Sequence, residues 1–526
     1  RARDAGFDIV YCYAGHSLAL AMHLLTRRFN DRTDEYGGSL ENRVRFFREL
    51  IEDAKEAVGD TCGIAVRLAV DELMGDEGIT SEGEGREIVA MLAELPDLWD
   101  VNISDWSNDS ATSRFEKEGY QERYCGFVKS LTTKPVVGVG RYTSPDAMVS
   151  AIRRGMLDMI GSARPSIADP FLPNKIREGR HDEIRECIGC NICVSADNKL
   201  VPIRCTQNPT MGEEWRRGWH PERIAARTSE EQVLVIGGGP AGLECARALG
   251  QRGYDVVLAE ARDVFGGRVT LEAQLPGLAE WRRVVDWRLG EMAKMPNVVL
   301  YPGSAVDVGD VTEFGAPHVI VATGSTWRRD GVGRHQWRGI PGHDAMTVLT
   351  PDDIMAGTLP TGRVVIYDNE HFYLGGVIAE RLVAAGCTVS IVTPAPIVSY
   401  WTQFTLEQER VQRRLLALGV SLYTQCSVDA MCAGGVRLTS AVEAGARELP
   451  CDAVVLITDR TPNDALYQAL VPLQEDGRLA SLRLIGDAEA PNIIAQAVFA
   501  GHLAAREFGE PVSDATPFLI ERIALG

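Results

Sequence analysis

The sequence predicts an α/β protein in three parts. These are a partial (β/α)8 TIM barrel lacking its N-terminal strands, an irregular cysteine-bearing segment, and two Rossmann-like nucleotide-binding domains. Three observations carry this. Residues 1–170 alternate short apolar strands with amphipathic helices, a tight run of cysteines begins at Cys187, and a glycine-rich turn follows an apolar strand at 237–242. A chain of 526 residues is too long for a single core and suits roughly three domains.

The barrel part spans 1–180. Its strands read GFDIVYC (6–12), GIAVRLAV (63–70), LWDVNIS (98–104), KPVVGVG (134–140) and LDMIGSA (157–163), with helices at 41–58 and 82–93 among the connections. Repeated β-α units imply a parallel sheet. No glycine-rich fingerprint follows the first strand. Polar residues gather at strand ends instead: Tyr13, His16, Arg67, Asp105, Asp109, Arg141 and Arg164. Function at the C-terminal ends of strands is the habit of a (β/α)8 barrel. Only five of its eight strands are legible here. With the opening Arg1-Ala2-Arg3-Asp4-Ala5-Gly6, which lacks Met, this leads us to expect a longer protein whose first strands lie upstream.

Composition narrows the function. Apolar residues are 45% and charged residues 24%, the values of an ordinary globular protein. No apolar run nears the ~18 residues of a membrane span. A net charge of −19 repels phosphate and speaks against nucleic acid, whereas an acidic surface suits a protein with a basic docking patch. Eight of the 12 cysteines are scattered singly, as expected of reduced thiols in the cytoplasm.

The other four occupy the segment 181–228. Cys187, Cys190 and Cys193 form C-x2-C-x2-C, and Cys205 follows after 11 residues. Three closely spaced thiolates and a fourth from a distant turn can converge on a [4Fe-4S] cluster. Zinc is the alternative, but four-cysteine zinc sites usually pair two separated C-x2-C knuckles.

Residues 229–350 and 470–526 form the first nucleotide-binding domain. Gly237, Gly239 and Gly242 fit G-x-G-x-x-G between a strand and a helix. Glu260 ends the next strand, where an acid can hold ribose hydroxyls, and LIGDAEAP (484–491), with Asp487, closes the domain. Residues 351–469 are a degenerate NAD(P)-binding-like domain. After its strand the chain reads Asp368-Asn369-Glu370-His371-Phe372-Tyr373 before Gly375 and Gly376. Two acids and bulky side chains oppose a pyrophosphate there, so no NAD(P)H is expected to bind.

Several stretches resemble the trimethylamine dehydrogenase family, which includes dimethylamine and histamine dehydrogenases. They include DAGFDIVYCYAGHS, RTDEYGGSLENR (32–43), VGVGRYT (137–143), GSARPSIADPFLP (161–173), CIGCNIC and TQNPTMGEEWRRGWHPE (206–222). Two relations are more distant: to NADPH-dependent 2,4-dienoyl-CoA reductases, and of the barrel to old yellow enzyme.

The resemblance implies FMN in the barrel, with its covalent attachment residue upstream of this chain. Arg67 matches the arginine at the flavin. Gly140 with Arg141, and Gly161, Ser162, Ala163 and Arg164, match the two phosphate loops. Tyr13, His16 and Asp109 match a catalytic triad, with Asp105 as the fallback third member. Trp106 matches one wall of the substrate bowl. Asp197 stands where trimethylamine dehydrogenase has another aromatic wall, and a carboxylate suits a substrate with a second polar group, such as histamine.

The activity implied is oxidation of a small amine to aldehyde and ammonia through FMN. Electrons would leave through [4Fe-4S] to an electron-transferring flavoprotein or similar one-electron acceptor. ADP, or alternatively FAD, would occupy the first nucleotide domain, and a homodimer is expected. The rival activities are trimethylamine or dimethylamine dehydrogenase, demethylation of N-methyl amino acids, and an NADPH-dependent dienoyl-CoA reductase. A further rival is a remnant that binds ADP and a cluster but no flavin.

Overall fold

The computed structural model describes residues 1–510 and 518–519; the remainder of the 470–526 segment lies outside the described residues. Two compact units are present, Arg1–Ser166 and Ile167–Gly526.

The first unit is built on five parallel strands: β1 (Ile9–Ala14), β2 (Gly63–Ala69), β3 (Leu98–Asn102), β4 (Val136–Gly138) and β5 (Met159–Ile160), hydrogen-bonded in that order. Strand neighbours in sequence are neighbours in space, as β-α repetition requires. The helix Leu40–Val58 shows how the sequence makes the connections. Ser39 caps it by accepting from the Asn42 amide, and Leu40, Val44, Phe47 and Ile51 form its buried stripe. Gly59 ends it at φ 56. The last two strands are shorter than the apolar runs around them. At β5 the chain leaves the sheet at Gly161, and a helix begins at Ala163. Register aligns Tyr13 with Arg67 and Arg67 with Asp100, so the ends of β1, β2 and β3 lie side by side.

The second unit carries the cysteine segment and two parallel sheets. The first sheet runs Ser481–Leu484, β9 (His318–Val321), β6 (Val233–Ile236), β7 (Val256–Ala259), β8 (Val298–Tyr301). Its strands bury Leu234, Ile236, Val319 and Val321 in one core with Leu470 and Leu473. The second sheet runs Thr347–Leu349, Ala453–Ile457, Arg363–Asp368, Thr388–Val392, Ser421–Tyr423. Thr347–Leu349 lies before residue 351 in the chain, yet it pairs in parallel with Ala453–Ile457. Among the described residues no helix is long and apolar enough to cross a membrane.

Candidate active site

The C-terminal ends of β1, β2 and β3 assemble one hydrogen-bonded set. Tyr13 lies near the end of β1, and His16 follows in a left-handed turn at φ 55. The Tyr13 hydroxyl bonds to His16 Nδ1, and His16 Nε2 lies 3.0 Å from Asp109 Oδ2. Arg67, on β2, donates to Asp100 Oδ2 at 2.9 Å and lies 3.6 Å from Asp109 Oδ2.

Asp109 ends the short helix Trp106–Asp109, and Asp105 caps it. The Asp105 carboxylate accepts from the Asn108 amide at 3.0 Å and the Ser107 hydroxyl at 2.8 Å. It is therefore Asp109, and not the fallback Asp105, that meets His16. Trp106, on the same helix, is exposed.

The electrostatics follow from burial and partners. Burial works to raise the Asp109 carboxyl, but hydrogen bonds with His16 and Gln121, and the Arg67 charge, hold it below the ordinary carboxylate range. Burial raises the Asp100 carboxyl, against the opposing pull of Arg67, and raises the Tyr13 hydroxyl.

Three buried residues that the sequence reading did not name join the set. They are Asp100 and Asn102 on β3, and Gln121, whose side-chain nitrogen donates to Asp109 Oδ1 at 2.8 Å. At Asp100 and Asn102 the one sequence signal was polarity inside an apolar strand; Gln121, just ahead of the helix Glu122–Cys125, gave none. Asp100 Oδ1, Asn102 Oδ1 and Gln121 Oε1 are buried and lack a partner among the described residues. Buried polar atoms left open beside a strand-end site fit a ligand with hydrogen-bonding edges, as a flavin has.

The two loops matched to a phosphate site leave β4 and β5. Gly140 has φ 150, and a Cβ there would come within 3.2 Å of Gly119. Arg141 follows at φ 58 and donates to the Glu116 carbonyl at 2.8 Å. Gly161 donates its amide to the Gly138 carbonyl, and the Ser162 hydroxyl donates to the Tyr142 carbonyl. Ala163 opens the next helix, and Arg164 donates to the carbonyls of Ser110 at 3.1 Å and Ala111 at 2.9 Å. Both guanidinium groups thus grip the loop that follows Asp109.

In the second unit, Asn191 at φ 56 turns the cysteine loop into the helix Ile192–Asp197. Cys187 Sγ accepts from the Gly189 amide at 3.3 Å, and Cys190 Sγ lies 3.2 Å from the Thr206 hydroxyl. Burial pushes the Cys190 thiol up to about 12 and the Cys205 thiol up to about 11, and the Cys187 sulfur adds to both. Four cysteine sulfurs within residues 187–205 are the donor set that a [4Fe-4S] cluster takes. Among the described residues no three His, Cys, Asp or Glu side chains close tightly enough to hold one metal ion. A four-iron cubane needs a wider set of thiolates than a single ion does. Asp197, at the end of the same helix, is exposed.

The glycine-rich turn borders a cavity of about 580 Å3 lined by Gly237, Gly239, Glu260, Arg268, Arg460 and Asp487, among others. Gly237 has φ 109, and a Cβ on Gly242 would lie 1.8 Å from the Gly237 carbonyl oxygen. A Cβ on Gly239 would meet nothing within 4 Å, so its open face borders the cavity where a pyrophosphate could approach. Glu260 accepts from the amides of Gly238 at 2.7 Å and Arg262 at 2.9 Å. Asp487 takes charge from Arg460 and, at 3.3 Å, from Arg268.

At the matching turn of the second sheet, Asp368 is fully buried and accepts from the His371 amide at 2.9 Å. Burial raises its carboxyl to about 6 and that of Glu370 to about 7. A Cβ on Gly375 would lie 2.6 Å from Asp368 Oδ2, so this carboxylate sits against the helix start.

Residues 1–183 match the NADH:flavin oxidoreductase / NADH oxidase family, and residues 231–483 match pyridine nucleotide-disulphide oxidoreductases. Dimethylamine dehydrogenase from Hyphomicrobium sp. (strain x) is 40% identical over 98% of this chain and 74% of its own length. This chain belongs to the trimethylamine/dimethylamine dehydrogenase family.

Two solved structures of similar chains are each 50% identical to it. Histamine dehydrogenase from Rhizobium sp. 4-9 has a TM-score of 0.97 over 100% of this chain and 77% of that one. The 6-hydroxypseudooxynicotine amine oxidase from Pseudomonas geniculata N1 has a TM-score of 0.95 over 97% and 76%. Within the family, the chain is an oxidoreductase of the amine-dehydrogenase type, with an FMN-binding domain ahead of a nucleotide-binding one.

Proposed function

We propose that this chain oxidises a small amine bearing a second polar group, histamine being the best fit, to the aldehyde and ammonia. The observation that carries this is the continuous chain Tyr13–His16–Asp109, flanked by Arg67. An alkylammonium cannot give up hydride readily, because nitrogen has no lone pair to stabilise the product. Asp109 holds His16, whose Nδ1 bonds to the Tyr13 hydroxyl, so Tyr13 can accept the ammonium proton as His16 accepts its own. The free amine then loses two electrons and two protons to become an imine, and water releases aldehyde and ammonia.

FMN, when bound at Arg67, Gly140–Arg141 and Gly161–Arg164, supplies the two-electron acceptor. A [4Fe-4S] cluster on Cys187, Cys190, Cys193 and Cys205 supplies one-electron transfer to an electron-transferring flavoprotein or similar acceptor. Trp106 and Asp197 are the substrate-selecting residues in this reading. A carboxylate at 197 suits an imidazole or other polar head better than methyl groups. The equal identity to the 6-hydroxypseudooxynicotine amine oxidase supports a second reading, in which that compound or a similar heteroaromatic amine is the substrate.

In the nucleotide domain we propose ADP in place of FAD. Arg268 and Arg460 meet at Asp487 in the cavity, and two guanidinium groups suit a terminal phosphate better than an uncharged ribityl chain. The buried acids Asp368 and Glu370 disfavour NAD(P)H at the second turn. An anaerobic flavin-reduction screen with histamine, dimethylamine, trimethylamine and NADPH tests these readings. Bleaching by histamine is expected. Bleaching by trimethylamine and not by histamine would refute the role of Asp197, and bleaching by NADPH would favour the reductase alternative.

A further inference from the structure

We propose that Asn102 and Gln121 are positioning residues that hold His16 in one tautomer, with its proton on Nε2 facing Asp109 and Nδ1 left to receive from Tyr13. This rests on the triad reading above and extends it by two residues. Both are fully buried; Asn102 meets His16 at Nε2 and Gln121 meets Asp109 at Oδ1.

Gln121 donates its side-chain N–H to Asp109 Oδ1 at 2.8 Å and to the Asp109 carbonyl at 3.2 Å. This commits one carboxylate oxygen and turns Oδ2 toward His16 Nε2, 3.0 Å away. An amide cannot neutralise a carboxylate by proton transfer, so Asp109 stays charged while its orientation is set. The Tyr120 hydroxyl donates to the carbonyl of Asn108 at 2.9 Å and to that of Asp109, pinning the same helix end from the backbone side.

The Asn102 side-chain nitrogen is placed 2.8 Å from His16 Nε2, while its oxygen is buried without a partner among the described residues. A ring nitrogen that gives its proton to a carboxylate has no lone pair left for an amide N–H. With the amide turned end for end about its last bond, the oxygen faces Nε2, the Nε2 proton is shared between the Asp109 carboxylate and the Asn102 oxygen, and the amide nitrogen takes the open position. Reversing the proton on the ring would set the Nε2 lone pair against both acceptors, which penalises the other tautomer. The groups facing His16 are Tyr13 on β1, Arg67 on β2, Asp100 and Asn102 on β3, and Asp109 on its helix. Asn102 is the uncharged one among them that contacts Nε2.

The test uses the purified chain labelled with 15N-histidine and long-range 1H–15N spectra, with His16→Asn assigning the His16 signals. The wild type should show the Nε2–H form. Asn102→Ala and Gln121→Leu should shift population to the Nδ1–H form and slow amine-driven flavin reduction by about tenfold or more. Asn102→Asp, the conservative variant, keeps an acceptor at Nε2 and adds a negative charge. It should retain the Nε2–H form and move the pH profile of flavin reduction up by about one unit. Unchanged tautomer populations in Asn102→Ala and Gln121→Leu, or an unshifted profile in Asn102→Asp, would overturn the proposal. Full amine-driven reduction by His16→Asn would instead refute the triad reading, and the tautomer spectra would still decide the roles of Asn102 and Gln121.

Discussion

Glu244 offers a stability test at the centre of the nucleotide-binding domain. It sits in the helix Pro240–Arg252 with no exposed side-chain surface. Its two oxygens bond Arg247 at 2.6 Å, Arg288 at 2.8 Å and His502 at 2.8 Å. Burial alone would raise this carboxyl, but Arg247 and Arg288 outweigh it and hold the group well below the carboxylate range. Arg288 is equally buried and also donates to the side chain and carbonyl of Gln207, two residues past Cys205, both at 3.1 Å. Glu244→Gln keeps the shape and leaves two buried guanidinium groups without a counter-charge. Breaking a buried pair from one side costs about 3–5 kcal/mol, because the remaining ion stays desolvated. For a unit of this size, thermal unfolding should fall by roughly 5–10 °C. Arg288→Met added to Glu244→Gln removes one stranded charge, so the double variant should recover at least about 1 kcal/mol relative to additivity. Thermal scans and denaturant titrations of the full chain measure both effects. A Glu244→Gln melting point within a degree or so of wild type, or strict additivity in the cycle, would refute the reasoning.

Three further outcomes follow from other sites. Burial pushes His502 down to about 4 from the ordinary 6.5, while Nε2 accepts from Arg506 at 2.8 Å. The unfolded chain therefore takes up a proton near pH 6.5 that the folded chain refuses until about pH 4, so stability should fall by up to about 3 kcal/mol across that window as pH drops. His502→Gln should flatten the slope in pH-dependent melting; an identical slope would contradict it. Gly239→Ala should fold normally yet purify with at least about tenfold less bound nucleotide, because its methyl enters the open face of the turn; Gly242→Ala should fold poorly because of the Gly237 carbonyl. Nucleotide released by heat and quantified by chromatography separates the two. Asp109→Asn should leave FMN content intact and lower amine-driven flavin reduction by roughly 10²-fold, and stopped-flow reduction at an unchanged rate would remove Asp109 from the mechanism.

Much of the candidate site was legible because its signals are local. Tyr13 and His16 lie three residues apart on one strand end, and their hydrogen bond needs no distant partner to be guessed. The spacing of Cys187, Cys190 and Cys193, and the Gly237–Gly242 turn, are equally short-range. Asp109 was harder, since 93 residues separate it from His16 and Asp105 competed for the same role. Capping chemistry separated them: Asp105 spends its carboxylate on its own helix. Asn102, Gln121 and the Glu244 network gave no motif at all.

The sequence by itself determined the order of parts, the apolar strands, the cysteine spacing and the glycine positions, because each of these is a local rule of backbone conformation or side-chain reach. Only the tertiary structure decided which polar residues face one another. Strand register sets Tyr13 beside Arg67 and Arg67 beside Asp100, and a one-residue slip would turn each side chain to the opposite face. Register is selected by the packing of the whole sheet and its helices. For that reason the residues that hold His16 and Asp109 in place could be seen only once β1, β2 and β3 lay side by side.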